Sequence, residues 1–345
     1  MLMTSDLTQT TLQAPALSPI KLGREVIDVP VILAPMAGVT DRPFRSLVRR
    51  FGAGLVVSEM IASQAMIREV RKTLQMIQPS GEGDVLTVQL AGSDPVVMAE
   101  AARLNVDRGA RILDINFGCP AKKIVNGLAG SALMKDEVKA AKILEAVVRA
   151  VDVPVTLKMR LGWDFNNLNA PRLAKIAQEC GIQMITVHGR TRSQFYNGQA
   201  DWAAIRPVKE AVTLPVMANG DIRSEEDVVQ ALAQSGADGI MIGRATYGRP
   251  WFLSQMMAFL RTGCATPEPS LVSQYKIVRE HFEDMLASYG AYSGLRIARK
   301  HMSWYSRGLP KAAEFRAAVN KAGEENEVRE LMARFFEPLI EDVDA

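Results

Sequence analysis

Two textures alternate along the first three quarters of the chain. Short β-rich apolar runs recur at residues 30–34, 55–58, 86–90, 112–116, 153–158, 184–188, 214–219 and 239–243, roughly 25–40 residues apart. Between them lie helical patterns. After Asp136, apolar residues fall at Val138, Ala141, Leu144 and Val148, close to a 3.6-residue period. Ser93-Asp94-Pro95 and Ser224-Glu225-Glu226-Asp227 carry helix-start signals, the second resembling a capping box. Strand and helix alternating through eight units predict an α/β fold, a closed (β/α)8 TIM barrel; a doubly wound open sheet is the rival, and the even spacing favours closure.

Beyond about Arg261 the β-rich runs stop. Thr266-Pro267-Glu268-Pro269-Ser270 reads as a linker. Leu271, Tyr275, Val278, Phe282, Met285 and Tyr289 then mark one helix, closed by Gly290. A second turns Leu295, Ala298, Met302 and Tyr305 inward, a third spans 312–322, and a fourth carries Val328, Leu331, Phe335 and Leu339. The expected organisation is a loosely structured extension over 1–20, a barrel over 21–262, and a small C-terminal helical bundle over 263–345.

Composition narrows the class. With 48% hydrophobic and 23% charged residues, the 345-residue chain is neither disordered nor fibrous. Its 41 basic and 38 acidic residues leave a formal charge of +3, so any basic surface has to be local. Three cysteines without C-x-x-C spacing and only three histidines argue against a metal site or a disulfide scaffold. No apolar run reaches the ~18–20 residues of a membrane span, and the first twenty residues lack a basic start and an apolar core. A cytoplasmic protein without membrane contact is expected.

Chemistry in this fold gathers at the carboxyl ends of the strands. Here those ends read Pro35-Met36-Ala37-Gly38, Gln89, Asn116-Phe117-Gly118-Cys119-Pro120, Lys158-Met159-Arg160, His188-Gly189-Arg190, Asn219-Gly220-Asp221 and Gly243-Arg244. The last two occupy the loops that commonly bind phosphate: glycine lets backbone N–H groups approach closely and Arg244 adds a forked charged donor. Lys158 and His188 suit an anionic or polar heterocycle, and Gln89 offers both donor and acceptor to a ring edge. His281 and His301 fall on the C-terminal helices, where packing or surface placement is the better reading.

Four of these segments, Ala34-Pro35-Met36-Ala37-Gly38-Val39-Thr40-Asp41, Asn116-Phe117-Gly118-Cys119-Pro120-Ala121-Lys122-Lys123, Val187-His188-Gly189-Arg190-Thr191-Arg192 and Ala218-Asn219-Gly220-Asp221-Ile222, closely resemble the tRNA-dihydrouridine synthases, above all the bacterial B-type (nitrogen-regulation-like) branch. The resemblance runs from about Gly23 to the last helix. It implies an FMN-binding barrel followed by a helical domain that helps grip tRNA. It further implies FMN contacts from Pro35, Met36, Ala37, Gln89, Lys158, His188, Asn219, Gly220, Asp221, Gly243 and Arg244, and Cys119 as catalytic proton donor. NADPH is the expected reductant, NADH the other nicotinamide that could serve, and a monomer the expected state.

Saturating the C5=C6 bond of uracil takes a hydride at C6, supplied by reduced flavin, and a proton at C5, supplied by a placed acid. A thiol is mostly protonated at neutral pH yet can give its proton to a carbanion-like centre. Asn116 and Arg160 are candidates to meet charge developing on the uracil oxygens. Cys180, on an apolar helix face with Leu173, Ile176 and Ala177, reads as packing, and Cys264 as a linker residue without a role. A uracil inside folded RNA has to leave its stack to reach a barrel mouth. Arg296, Arg299, Lys300 and Arg307 gather on about one third of a helix circumference, and Lys122, Lys123, Arg190 and Arg192 lie by the mouth, so both groups are expected to meet tRNA. An FMN barrel for free pyrimidines and a non-catalytic RNA-binding barrel are the alternatives; the basic helix speaks against the first and the intact site against the second.

Overall fold

The computed structural model describes residues 13–68, 78–79 and 85–344; the first twelve residues of the expected extension lie outside that range. A hairpin comes first, β1 (Ile20–Leu22) against β2 (Glu25–Ile27). Eight parallel strands then close into a barrel: β3 (Val31–Leu33), β4 (Leu55–Ala62), β5 (Thr87–Ala91), β6 (Ile112–Phe117), β7 (Val155–Arg160), β8 (Met184–His188), β9 (Val216–Asn219) and β10 (Gly239–Ile242), with β10 pairing back onto β3. All eight expected strands are present. The hairpin was not expected: strands of three residues are too short to show a period.

Local chemistry accounts for the intervening helices. Asp94 caps Pro95–Asp107 by accepting from Val97 N, and Asp136 caps Glu137–Ala150 by accepting from Lys139 N. Ser224 caps Glu225–Ser235 as expected, accepting from Asp227 N, but the Asp227 carboxylate turns back to Arg223 N rather than to Ser224 N.

Alternate strand residues point inward, and the inward set changes character along the barrel axis. At the amino ends Ile32, Leu55, Ile112, Met184 and Met217 form an apolar plug with Ile20, Leu22 and Ile27 of the hairpin, which covers the barrel floor. Toward the carboxyl ends the buried interior turns polar, with Gln89, Asp114, Asn116, Thr156, Thr186, His188 and Asn219. The outward strand residues and the surrounding helices make the main core.

The C-terminal helices form a second core. The long helix Leu271–Tyr305 breaks at Gly290, whose φ of 76° suits glycine, so the expected helix end is a sharp turn between two helical segments. Phe282, Phe315, Phe335 and Phe336 are buried with helices Ala312–Lys321 and Glu325–Asp344, each burial favouring the fold by roughly 2–3 kcal/mol. This unit rests on the first barrel helix, Arg42–Arg50: Phe44 packs against the rings of His281 and His301, which meet edge to face at 4.7 Å and are both fully buried packing residues. No helix among the described residues is long and apolar enough to cross a membrane.

Candidate active site

A cavity of about 460 Å³ opens at the carboxyl ends of the strands. Its lining includes all eleven residues expected to hold a flavin, Pro35, Met36, Ala37, Gln89, Lys158, His188, Asn219, Gly220, Asp221, Gly243 and Arg244, together with Cys119, Asn116 and Arg160. The size suits a ligand of a few hundred daltons.

Cys119 is half-buried on the turn after β6. The turn is tied on three sides. Asn116 Oδ1 accepts from Gly118 N at 3.0 Å and Cys119 N at 2.8 Å. The Cys119 carbonyl accepts from Ser131 N and Ser131 Oγ at 3.1 and 2.8 Å. Arg160 Nε donates to the Gly118 carbonyl at 2.8 Å. The same guanidinium reaches the Thr191 and Phe195 carbonyls, each at 2.8 Å, so it pins two mouth loops together while bordering the cavity.

Lys158 Nζ donates to Asn219 Oδ1 at 3.0 Å, and Asn219 Nδ2 donates to the Met241 carbonyl. Burial, with the nearby Arg160 charge, brings the Lys158 ammonium down to about 8; Asp114 partly offsets this from the neighbouring strand. His188 is held well below the usual imidazole range by burial and then by Lys158, Arg160, Arg190 and Arg244, so it is neutral. Arg190 approaches its Nε2 at 3.2 Å; a guanidinium only donates, which leaves the ring proton on Nδ1.

Asp221 organises the side of β9 and β10. It follows Gly220, whose φ of 119° and close approach to His188 and Ala200 leave no room for a Cβ. Its carboxylate receives Arg190, Arg244 at 2.8 Å, Arg223 at 3.3 Å and Ala200 N at 2.9 Å. Burial alone would raise this carboxyl, but the hydrogen bonds from Arg190 and Ala200 N and the neighbouring charges outweigh it and hold it below the usual range. A carboxylate so engaged orients Arg244, and the glycines beside it keep the backbone approachable.

The basic residues assigned to the mouth and the helix separate. Arg190 is a correction: it is 1% exposed and turned inward, donating to the Asn197 and Gly198 carbonyls as well as to Asp221. Lys122 and Lys123 are exposed on the short turn of helix Lys122–Asn126, and Arg192 is half-buried over Trp163 and Phe195. The helix stripe is also corrected. Arg296 is exposed, but Arg299 donates to the Ala322 carbonyl at 2.7 Å and Lys300 turns the other way, onto the Gly38 carbonyl beside the cavity. Each long side chain follows the neighbour nearest its own angle.

Several site residues were not expected. Tyr196, 53% exposed, stands over the mouth with Arg244 against its face. Tyr247 stacks on Trp304 of the helical unit at 4.1 Å. Next to the first cavity, a groove of about 770 Å³ between the barrel and the helical unit shares Arg223, Arg244 and Tyr247 with it and adds Arg249, Trp304 and Arg307. An aromatic beside arginines is the sequence-level signal, but 57 residues separate the stacked pair. No group of three or more His, Cys, Asp or Glu that could hold a metal occurs among the described residues.

The arrangement offers buried donors for a polar ring, a charged fork beside glycine backbone for an anion, and a thiol bordering the same cavity. The model of the dihydrouridine synthase family matches residues 32–340. A probable tRNA-dihydrouridine synthase of Rickettsia bellii is 56% identical over 322 residues, 93% of this chain and 99% of the relative. The tRNA-dihydrouridine synthases B of Xanthomonas campestris and Pseudomonas aeruginosa are 51% and 50% identical, over 94% and 88% of this chain and 97% and 92% of theirs.

Proposed function

The chain belongs to the B-type branch of the tRNA-dihydrouridine synthase family, a family of oxidoreductases, and from that premise we propose that it binds FMN and, with NADPH as reductant, saturates the C5=C6 bond of D-loop uridines in tRNA. The observation that carries this reading is that one cavity unites Cys119 with Lys158, Gln89 and Arg244.

The donor set fits a flavin. Lys158 has three N–H groups and, among the described residues, one hydrogen bond, to Asn219, so two donors remain for acceptors on a ring edge. Gln89 and His188 border the same space. Arg244, with the backbone at Gly220 and Gly243, suits the phosphate, and Asp221 serves by aiming Arg244. A reduced flavin held there would supply the hydride for C6 of the uracil.

The chain's own residues do the rest. Cys119 holds the proton destined for C5, and its tied turn keeps the sulfur at the cavity wall. Asn116 and Arg160 stand beside it to donate toward the uracil oxygens as charge grows there. Tyr196 partly covers the mouth against water. The extruded nucleotide enters from the arginine- and tryptophan-lined groove, while Arg296, Lys122, Lys123 and Arg192 face the RNA backbone. A free pyrimidine would need no such groove.

The test is Cys119→Ala. The purified variant is expected to remain yellow with bound FMN while forming dihydrouridine on tRNA about 10²–10⁴ times more slowly. An unchanged rate removes the thiol from the mechanism, and a wild-type protein that takes up no FMN overturns the proposal.

A further inference from the structure

From β7 to the Cys119 turn runs an unbroken line of side-chain hydrogen bonds. Thr156 Oγ1 donates to Asp114 Oδ1 at 2.6 Å, and Gln89 Nε2 donates to Asp114 Oδ2 at 2.6 Å. Asn116 Nδ2 donates to Gln89 Oε1 at 2.7 Å, and Asn116 Oδ1 accepts from Gly118 N and Cys119 N. Strand register builds this line. Gln89 pairs with Asp114, Asp114 with Thr156, and Asn116 with Lys158, so all these side chains point into two adjoining layers of the barrel interior.

Both ends of the line have a fixed sense. Backbone N–H groups can only donate, so Asn116 must turn its oxygen to the Cys119 turn and its nitrogen to Gln89. Gln89 must then answer with its oxygen and turn its own nitrogen to Asp114. A carboxylate receiving two donors closes the line. Asp114 is 2% exposed and does not border the cavity, so contact with a ligand does not account for it. The direction has a chemical consequence: both backbone N–H groups fill Asn116 Oδ1, and the hydrogen-bonding capacity Asn116 keeps for a guest is N–H.

We propose that Asp114 is a positioning residue that closes this line as its terminal acceptor, keeping Asn116 a donor toward the cavity and holding the Cys119 turn closed. What that donor meets rests on the uracil reading above; the line itself and its hold on Cys119 do not.

The experiment uses the full chain freed of flavin and follows iodoacetamide alkylation of Cys119 by peptide mass, with half-buried Cys180 of the same molecule as reference. Asp114→Ala removes the terminal acceptor and is expected to raise the Cys119-to-Cys180 rate ratio by about tenfold. Asp114→Asn is expected to stay within about twofold, because its oxygen can face Gln89 while the rotatable Thr156 hydroxyl accepts from its amide nitrogen. Adding Thr156→Val takes that anchor away, and the double variant is expected to approach the alanine result; Thr156→Val alone keeps the carboxylate and the direction. FMN uptake and dihydrouridine formation are measured alongside and should follow the same order. An unchanged ratio in Asp114→Ala overturns the proposal. So does an Asp114→Asn variant as perturbed as the alanine one, since charge and not direction would then matter. If the alanine variant fails to fold, the single and double asparagine variants decide: a raised ratio only in the double supports the proposal, and equal ratios overturn it. Because alkylation needs neither flavin nor RNA, failure of the enzymatic reading would leave this result standing, and the reverse.

Discussion

Replacing Asp221 by asparagine keeps the shape of the side chain and removes the negative charge shared by Arg190, Arg244 and Arg223. Arg190 is the partner that matters, because at 1% exposure water cannot compensate it. Breaking a buried ion pair by neutralising one partner costs about 3–5 kcal/mol. Arg190 keeps the Asn197 and Gly198 carbonyls and His188, which argues for the lower end, about 3 kcal/mol. Unfolding entropy of about 2.1 cal/mol/K per residue over 345 residues gives about 0.7 kcal/mol/K, so Tm should fall by about 4 °C. The assay is thermal unfolding of flavin-free protein followed by circular dichroism, at neutral pH and in acid. Asp221 is held below its ordinary pKa, so its contribution is complete above the unfolded value of ~3.9 and fades as pH falls through the folded one. The gap between wild type and variant should therefore close in acid. Glu145→Gln, which opens the exposed Glu145–Arg149 pair, should shift stability by no more than about 0.5 kcal/mol and serves as comparison. Should Asp221→Asn melt within about 1 °C of wild type at neutral pH, the view of Asp221 as the counter-charge to Arg190 is wrong.

Two further outcomes follow from other parts of the molecule. Asp41 caps the Arg42–Arg50 helix through Phe44 N and accepts from Tyr289, and burial raises it to about 6. Its charged form is disfavoured in the fold, so stability is gained as pH falls through about 6 toward the unfolded value; Asp41→Asn, which preserves the cap, should stabilise by roughly 1–3 kcal/mol above pH 7 and show no gain near pH 4, as denaturant melts at the two pH values would reveal. Arg296→Glu and Lys123→Glu should each weaken tRNA binding in filter or mobility assays and make its dependence on log salt shallower by about 1; equal affinity at low salt would move the RNA to another face.

Legibility in the sequence followed the range over which each signal acts. Barrel strands announce themselves locally, as apolar β-rich runs ending in polar or glycine residues, and all the expected flavin-site residues proved to border one cavity. Helix starts at Asp94, Asp136 and Ser224 were equally local. The basic stripe failed because a helical wheel reports angles about one axis and says nothing of what stands at each angle: Ala322 waits beside Arg299, and Gly38 beside Lys300. Arg190 read as a mouth residue because its counter-charge, Asp221, lies 31 positions away. Tyr247 and Trp304 meet only through the fold. Asp114 was the missed opportunity. It shares parity with Asn116 in an otherwise apolar run, so its inward direction was readable; its neighbours Gln89 and Thr156 were not.

The seam between the barrel and the helical unit is tied at several points. Lys300 reaches the Gly38 carbonyl, Tyr289 reaches Asp41, and Phe44 packs against a pair of touching histidines, all within the segment that continues from β3 past the cavity rim. On the proposed function, a polynucleotide gripped by the helical unit would be held at a set distance from the thiol. A change at this seam would then alter which position is reached before it altered how fast the reaction runs.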